Sequence, residues 1–258
     1  MPLRQSYCGW TFAGHGVAEG ELLQQARAIG YEGVELISET LFDQARDLGL
    51  EIVSHQGQPD IHLGWNDPAL HSALEAEMYE RLALAQKYGI LNLIVFSGNR
   101  REGLPDEAGL ENTALGLSRV ASAAAQAGVT LLLELLNSKR DHAGYQCDRT
   151  AWGAEVCRRV GSAHVKLLYD VYHLQIMEGD LIRTIEQNHG EIGHYHTAGN
   201  PGRGDLDQAQ EINYPPVFKA IACTGYSGFV GHEFAPKGDP VAALQSAYDL
   251  CRFALPQP

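Results

Sequence analysis

Short apolar runs alternate with longer amphipathic stretches along almost the whole chain. Gly-Val-Glu-Leu-Ile at 33–37, Asn-Leu-Ile-Val-Phe-Ser at 92–97 and Val-Thr-Leu-Leu-Leu-Glu at 129–134 are typical. Such runs lack the wet–dry alternation of a half-exposed strand and suit parallel strands buried on both faces. The pattern predicts strands over 5–9, 33–37, 51–55, 92–97, 130–135, 165–171, 192–196 and 228–233. Between them apolar residues recur at helical spacing, as at Leu22, Leu23, Ala26 and Ile29. Helices are expected over 19–29, 40–48, 68–88, 104–127, 148–160, 181–188, 214–223 and 240–254. Asp67 and Pro68 read as the N-cap and first residue of the third helix. Gly128 and Gly161 read as left-handed C-caps. Eight strand–helix units in 258 residues, without a linker, an internal repeat or a Gly-x-Gly-x-x-Gly, predict an α/β fold. The expected form is a (β/α)8 TIM barrel, one domain over 1–258, in preference to a doubly wound open sheet.

Four of the later runs end on an ionisable residue: Glu134, Asp170, His196 and Glu233. In such a barrel the C-terminal strand ends converge on one face. An acid buried there needs compensation. Any one of these residues has a plain alternative role, capping the helix that follows. Together, three carboxylates and one imidazole form a hard, oxygen-rich donor set suited to Mg, Mn or Co. The two-residue strand period places Lys166 and His194 inside the barrel beneath the ligands, where each calls for a carboxylate partner.

Around this set, His173 lies three residues past Asp170, placed for a substrate oxygen or for a loop cap. The glycine-rich loop after His196 carries Arg203, whose planar fork suits a substrate carboxylate. Glu35, His55 and Gln56 end the second and third strands and are expected to line the other half of the pocket. His55 is taken as a substrate contact or a partner of a ligand. Asn137 is expected to orient Glu134, and Trp10 and Phe12 to roof the site. The histidines at 15, 62, 71, 142, 164 and 189 follow no usable pattern.

The formal net charge is -13, which counts against nucleic acid or an anionic membrane as partner. Five scattered cysteines without a Cys-x-x-Cys pair exclude a disulfide scaffold and a thiolate zinc site. No run is long enough to span a bilayer, and no leader is apparent, so the cytoplasm is expected.

Leu-Leu-Glu-Leu-Leu-Asn, Leu-Tyr-Asp-Val-Tyr-His-Leu-Gln-Ile-Met-Glu-Gly-Asp, His-Thr-Ala-Gly-Asn-Pro-Gly-Arg-Gly, Glu-Ile-Asn-Tyr and Gly-His-Glu-Phe resemble the hydroxypyruvate isomerase family of xylose-isomerase-like TIM barrels. The resemblance is densest from Glu134 to Pro236. It implies that Glu134, Asp170, His196 and Glu233 bind a divalent metal, that Glu134 and Glu233 are the paired proton donor and acceptor, and that His173 and Arg203 lie near the substrate. His196 stands where some hydroxypyruvate isomerases carry Gln and ketose 3-epimerases carry His. Phe-Ala-Pro-Lys after Glu233 also departs from the more usual Tyr-x-Pro. The implied reaction is aldose–ketose isomerisation of a short hydroxy-oxo acid, hydroxypyruvate to tartronate semialdehyde, through an enediolate. The alternative is a ketose 3-epimerase acting on a short sugar. A homo-oligomer fits the resemblance, although no surface stripe marks one.

Overall fold

Strands β1 (Arg4–Cys8), β2 (Gly33–Glu35), β3 (Glu51–Gln56), β4 (Asn92–Val95), β5 (Thr130–Glu134), β6 (Val165–Asp170), β7 (Ile192–Thr197) and β8 (Phe229–His232) pair in chain order. Every pairing is parallel, and β8 returns to β1 to close the barrel. The computed structural model describes residues 3–255, so positions 1–2 and 256–258 of the expected domain lie outside the described residues. The crossovers are made by α1 (Glu19–Ile29), α2 (Phe42–Asp47), α3 (His71–Tyr88), α4 (Asp106–Ala127), α5 (Thr150–Val160), α6 (Val171–Met177), α7 (Leu181–Asn188), α8 (Tyr214–Cys223) and α9 (Pro240–Phe253). Gly128 and Gly161 take φ of 70° and 66° and end α4 and α5 as expected. Among the described residues no helix is long and apolar enough to cross a membrane.

The outward side chains of the strands, such as Val34, Leu131, Leu133, Leu167 and Val230, are fully buried under the helices. That double burial is why these strands read as continuous apolar runs.

Beyond shifts of about two residues at element ends, such as β2 stopping at Glu35 rather than 37 and α4 starting at Asp106 rather than 104, three details differ from the sequence pattern. Helix α3 begins at His71 rather than at 68, because Asp67 Oδ1 accepts the Ala69 amide and closes a separate turn before it. Residues 171–177 form α6, although Val-Tyr-His-Leu-Gln-Ile-Met is apolar enough to read as the end of a strand and the start of a loop. Lys166 does not lie beneath the ligands. It sits at the start of β6, and its Nζ reaches out to the Gly190 carbonyl (2.6 Å) and Glu191 (3.5 Å) at the opposite end of the barrel.

Candidate active site

The four strand-end residues meet. Ligand atoms of Glu134, Asp170, His196 and Glu233 all lie within 4.8 Å of one another, and all four residues are buried. Each comes from a different strand end, from β5 to just past β8, so the meeting follows from barrel closure.

Asp170 caps a helix with one carboxylate oxygen and leaves the other to the cluster. Its Oδ1 accepts the amides of Tyr172 (2.8 Å) and His173 (3.1 Å) and caps α6. Its Oδ2 is buried without a hydrogen-bond partner and faces the cluster. A lone buried carboxylate oxygen costs several kcal/mol unless a cation faces it. That orphaned oxygen, with three acids and one imidazole around a common centre, fits a divalent ion.

Arg203 is the cation inside this group. Its Nη2 lies 2.7 Å from Glu233 Oε2 and 3.8 Å from Asp170 Oδ2. Its backbone sits at φ 53°, a left-handed conformation unusual for a side chain of this size. Two backbone hydrogen bonds hold it there: Gly199 N–H to Gly204 O (2.7 Å) and Ala235 N–H to Arg203 O (2.8 Å). The loop therefore aims the guanidinium inward between Trp10 and Tyr172, whose rings lie 5.4 and 5.8 Å from it.

The two glutamates are electrostatically unlike. Burial first, then the charges of Glu233 and Asp170, push the Glu134 carboxyl up to about 8. Burial also opposes ionisation of Glu233, but Arg203, His196 and the Trp10 indole hold it far below the usual carboxylate range. The Trp10 Nε1–H donates to Glu233 Oε1 at 2.8 Å. Burial lifts Asp170 to about 6, against the pull of Arg203. For His196 burial opposes charge, yet Cys8, Glu233 and Glu35 keep it well above its ordinary value.

A cavity of about 120 Å³ opens onto the cluster, lined by Glu134, Glu233, Arg203, Trp10 and His142 on one side. Leu36, Ile61, Ile94, Phe96 and Leu136 form much of the rest, with Gln56 among them. It borders a chamber of about 530 Å³ through Trp10, Leu36, Gln56 and Ile61.

Several expected contacts fall elsewhere. His55 occupies the outer face of β3, because Ser54 and Gln56 alternate inward. It packs edge-on to Phe42, lies 3.6 Å from Glu39 and lines only the outer chamber. His173 is wholly buried behind Asp170, with Nδ1 accepting from the Asn137 amide and side chain (3.2 and 2.6 Å) and Nε2 3.7 Å from Asp170 Oδ2. It lies outside the lining of the cavity. Asn137 accordingly orients His173, and Asp141 at 2.7 Å, rather than Glu134. Trp10 roofs the site, whereas Phe12 packs beneath against Tyr7 and Phe234. Glu35 lies under the cluster rather than on the pocket wall.

The sequence pattern missed His142. Its Nε2 is buried without a partner at the cavity, and its amide bonds Asn137 O (3.1 Å) within the turn after β5. The Asp-His-Ala-Gly turn at 141–144 is the one local hint of it.

A family model for the xylose isomerase-like TIM barrel matches residues 23–252. The 2-oxo-tetronate isomerase of Cupriavidus necator is 40% identical over 135 residues, which covers 52% of this chain and only 50% of that protein. A putative hydroxypyruvate isomerase of Homo sapiens is 29% identical over 238 residues, covering 86% of each chain. Among solved structures, AP endonuclease, family 2 from Brucella melitensis superposes with a TM-score of 0.84 at 26% identity, covering 95% of this chain and 97% of that one. On this evidence the chain belongs to the xylose isomerase-like TIM barrel family.

Proposed function

We propose that this chain is an isomerase of short hydroxy-oxo acids that works with a divalent ion, and that hydroxypyruvate and tartronate semialdehyde are its substrate pair. The names of its relatives support the isomerase class. The observation that carries the mechanism is the meeting of Glu134 and Glu233 in one buried cluster at the wall of the cavity. Two carboxyls facing one small space can take and return protons on neighbouring atoms of a substrate held there.

Glu134, Asp170, His196 and Glu233 would hold the ion, which acts as a Lewis acid toward a carbonyl and its neighbouring hydroxyl. Glu233 takes the proton from the carbon bearing the hydroxyl, and the electron pair passes toward the carbonyl to leave an enediolate. Glu233 returns that proton to the neighbouring carbon. Glu134, as a carboxylate, carries the hydroxyl proton to the former carbonyl oxygen, so atoms balance and both carboxyls end as they began. Arg203, with Nε free of any hydrogen-bond partner, takes the substrate carboxylate. His142 stands at the same cavity for a substrate oxygen.

A ketose 3-epimerase would use the same four residues but must hold further hydroxyls along a longer chain. The apolar wall of Leu36, Ile61, Ile94, Phe96 and Leu136 favours a short substrate instead. The net charge of -13 favours a small molecule over nucleic acid. A cytoplasmic location and a single domain over 1–258 belong to the same proposal.

A panel of hydroxypyruvate, fructose and psicose, assayed with Mg²⁺, Mn²⁺ and Co²⁺, tests this reading. Turnover of the acid with little or none of the sugars is expected. Sugar epimerisation with no action on hydroxypyruvate would replace it with the alternative.

A further inference from the structure

Directly beneath the cluster lies a second polar group that the proposed chemistry does not use. Glu35, at the end of β2, is wholly buried in the barrel floor. Its Oε1 accepts from Ser6 Oγ (2.5 Å) and His194 Nε2 (3.0 Å). Its Oε2 accepts from Ser54 Oγ and from Nε2 of both His194 (2.9 Å) and His196 (3.1 Å). Four side chains from β1, β3 and β7 thus converge on one carboxylate. A barrel interior is ordinarily filled by branched apolar residues, and a polar layer at that depth is expensive unless fully paired. Here every group is paired.

The space is also kept for it. Gly231 on β8 pairs in register with His196, and a Cβ there would stand 2.3 Å from Glu35 Oε1 and 2.8 Å from His196 Cδ2. No larger residue leaves both groups in place.

We propose that Glu35 is a positioning residue that fixes the ring orientation and tautomer of His196, so that Nδ1 is presented to the cluster above. A carboxylate only accepts, so Nε2 carries a proton toward Glu35 (3.1 Å) and, with no ion present, Nδ1 carries one toward Glu233 Oε2 (2.9 Å). A histidine that binds a cation must give up one ring proton; the one that Glu35 retains is on Nε2, which leaves Nδ1 for the cluster. Ser6, Ser54 and His194 hold Glu35 from three further directions, so it cannot rotate to follow the ring. The ring must follow it. Carboxylate partners of this kind typically change metal affinity about 10–100-fold. This inference rests on reading the four-residue cluster as a metal site.

Calorimetric titration of metal-free protein with Mn²⁺, alongside the thermal midpoint of the same metal-free samples, tests it. Glu35→Gln keeps the shape of the side chain but offers an amide where His196 needs an acceptor. It should weaken Mn²⁺ binding by about 10–100-fold. Ser54→Ala, which loosens Glu35 without touching His196, should weaken it by a smaller factor that still exceeds twofold, and decides the matter if the first variant does not fold. Nitrogen NMR of the Mg²⁺-loaded parent should show His196 protonated at Nε2. The inference is overturned if folded variants bind Mn²⁺ within twofold of the parent, or if the ring proton is found on Nδ1. A parent unable to bind any divalent ion at micromolar levels overturns the metal reading itself, and this inference with it. Unchanged variants of a metal-binding parent overturn this inference alone.

Discussion

The barrel holds two buried polar layers, one above the other, and they are built on opposite rules. In the lower layer Glu35 accepts from Ser6, Ser54, His194 and His196, and nothing is left over. In the upper layer three acids face one imidazole and one guanidinium. Asp170 Oδ2 lacks a partner, and burial together with the charges of Glu233 and Asp170 pushes Glu134 up to about 8. A saturated layer can hold things still but has no capacity left for a ligand. An unsaturated one stores the capacity to bind a cation and move protons. His196 is the residue that belongs to both, through Nε2 below and Nδ1 above.

The sharpest way to break this contrast is to remove charge from the upper layer alone. Glu134→Gln and Glu233→Gln should each lower turnover of hydroxypyruvate by about 10²–10⁴-fold while circular dichroism and thermal midpoint stay near the parent's. Near-full activity in either would end the two-glutamate scheme. Next in size, Arg203→Ala removes the charged fork offered to a carboxylate. Loss of charged hydrogen bonds worth about 1.5–3 kcal/mol should raise KM for the acid by about 10–100-fold. Any activity on neutral ketoses should change far less.

Proton linkage gives a third, smaller effect. The folded-state values of Glu134 (about 8) and Asp170 (about 6) are raised, so their contribution to stability is full at low pH and fades as pH rises through 6 and 8. Metal-free protein should therefore lose thermal stability between pH 5 and pH 8. Metal affinity should run the other way, rising by up to about tenfold per pH unit for each proton released. Titrations with Mn²⁺ at several pH values check the sign. The smallest effect is expected from His55→Gln. With His55 on the outer face of β3, kcat/KM should stay within about twofold, the reach of substitutions remote from a site. A large rise in KM would put His55 back among the substrate contacts.

Much of the upper layer is legible in the sequence because each of Glu134, Asp170, His196 and Glu233 terminates an apolar run, and a lone charge after Leu-Leu-Leu or Val-Gly-His stands out. The strands were legible for the same reason. What escaped has two physical causes. Local sequence is ambiguous where a short apolar segment suits either element, which hid α6 and misplaced the start of α3. Through-space pairing is invisible where partners lie far apart in the chain. Glu35 and His194 are 159 residues apart, so nothing local reveals that they are hydrogen-bonded, or that Gly231 leaves room for Glu35 and His196. Lys166 shows the limit of strand periodicity. The face was inferred correctly, but its position near the entry of β6 let the long side chain escape toward Glu191.

The indole that roofs the site offers an optical handle. The chain has three tryptophans, and Trp65 and Trp152 are buried, whereas Trp10 is 50% exposed and bonded to Glu233. Red-shifted emission should therefore come mainly from Trp10, and any change in what Glu233 holds should alter its intensity. The protein carries its own fluorescent gauge of occupancy, readable without a label.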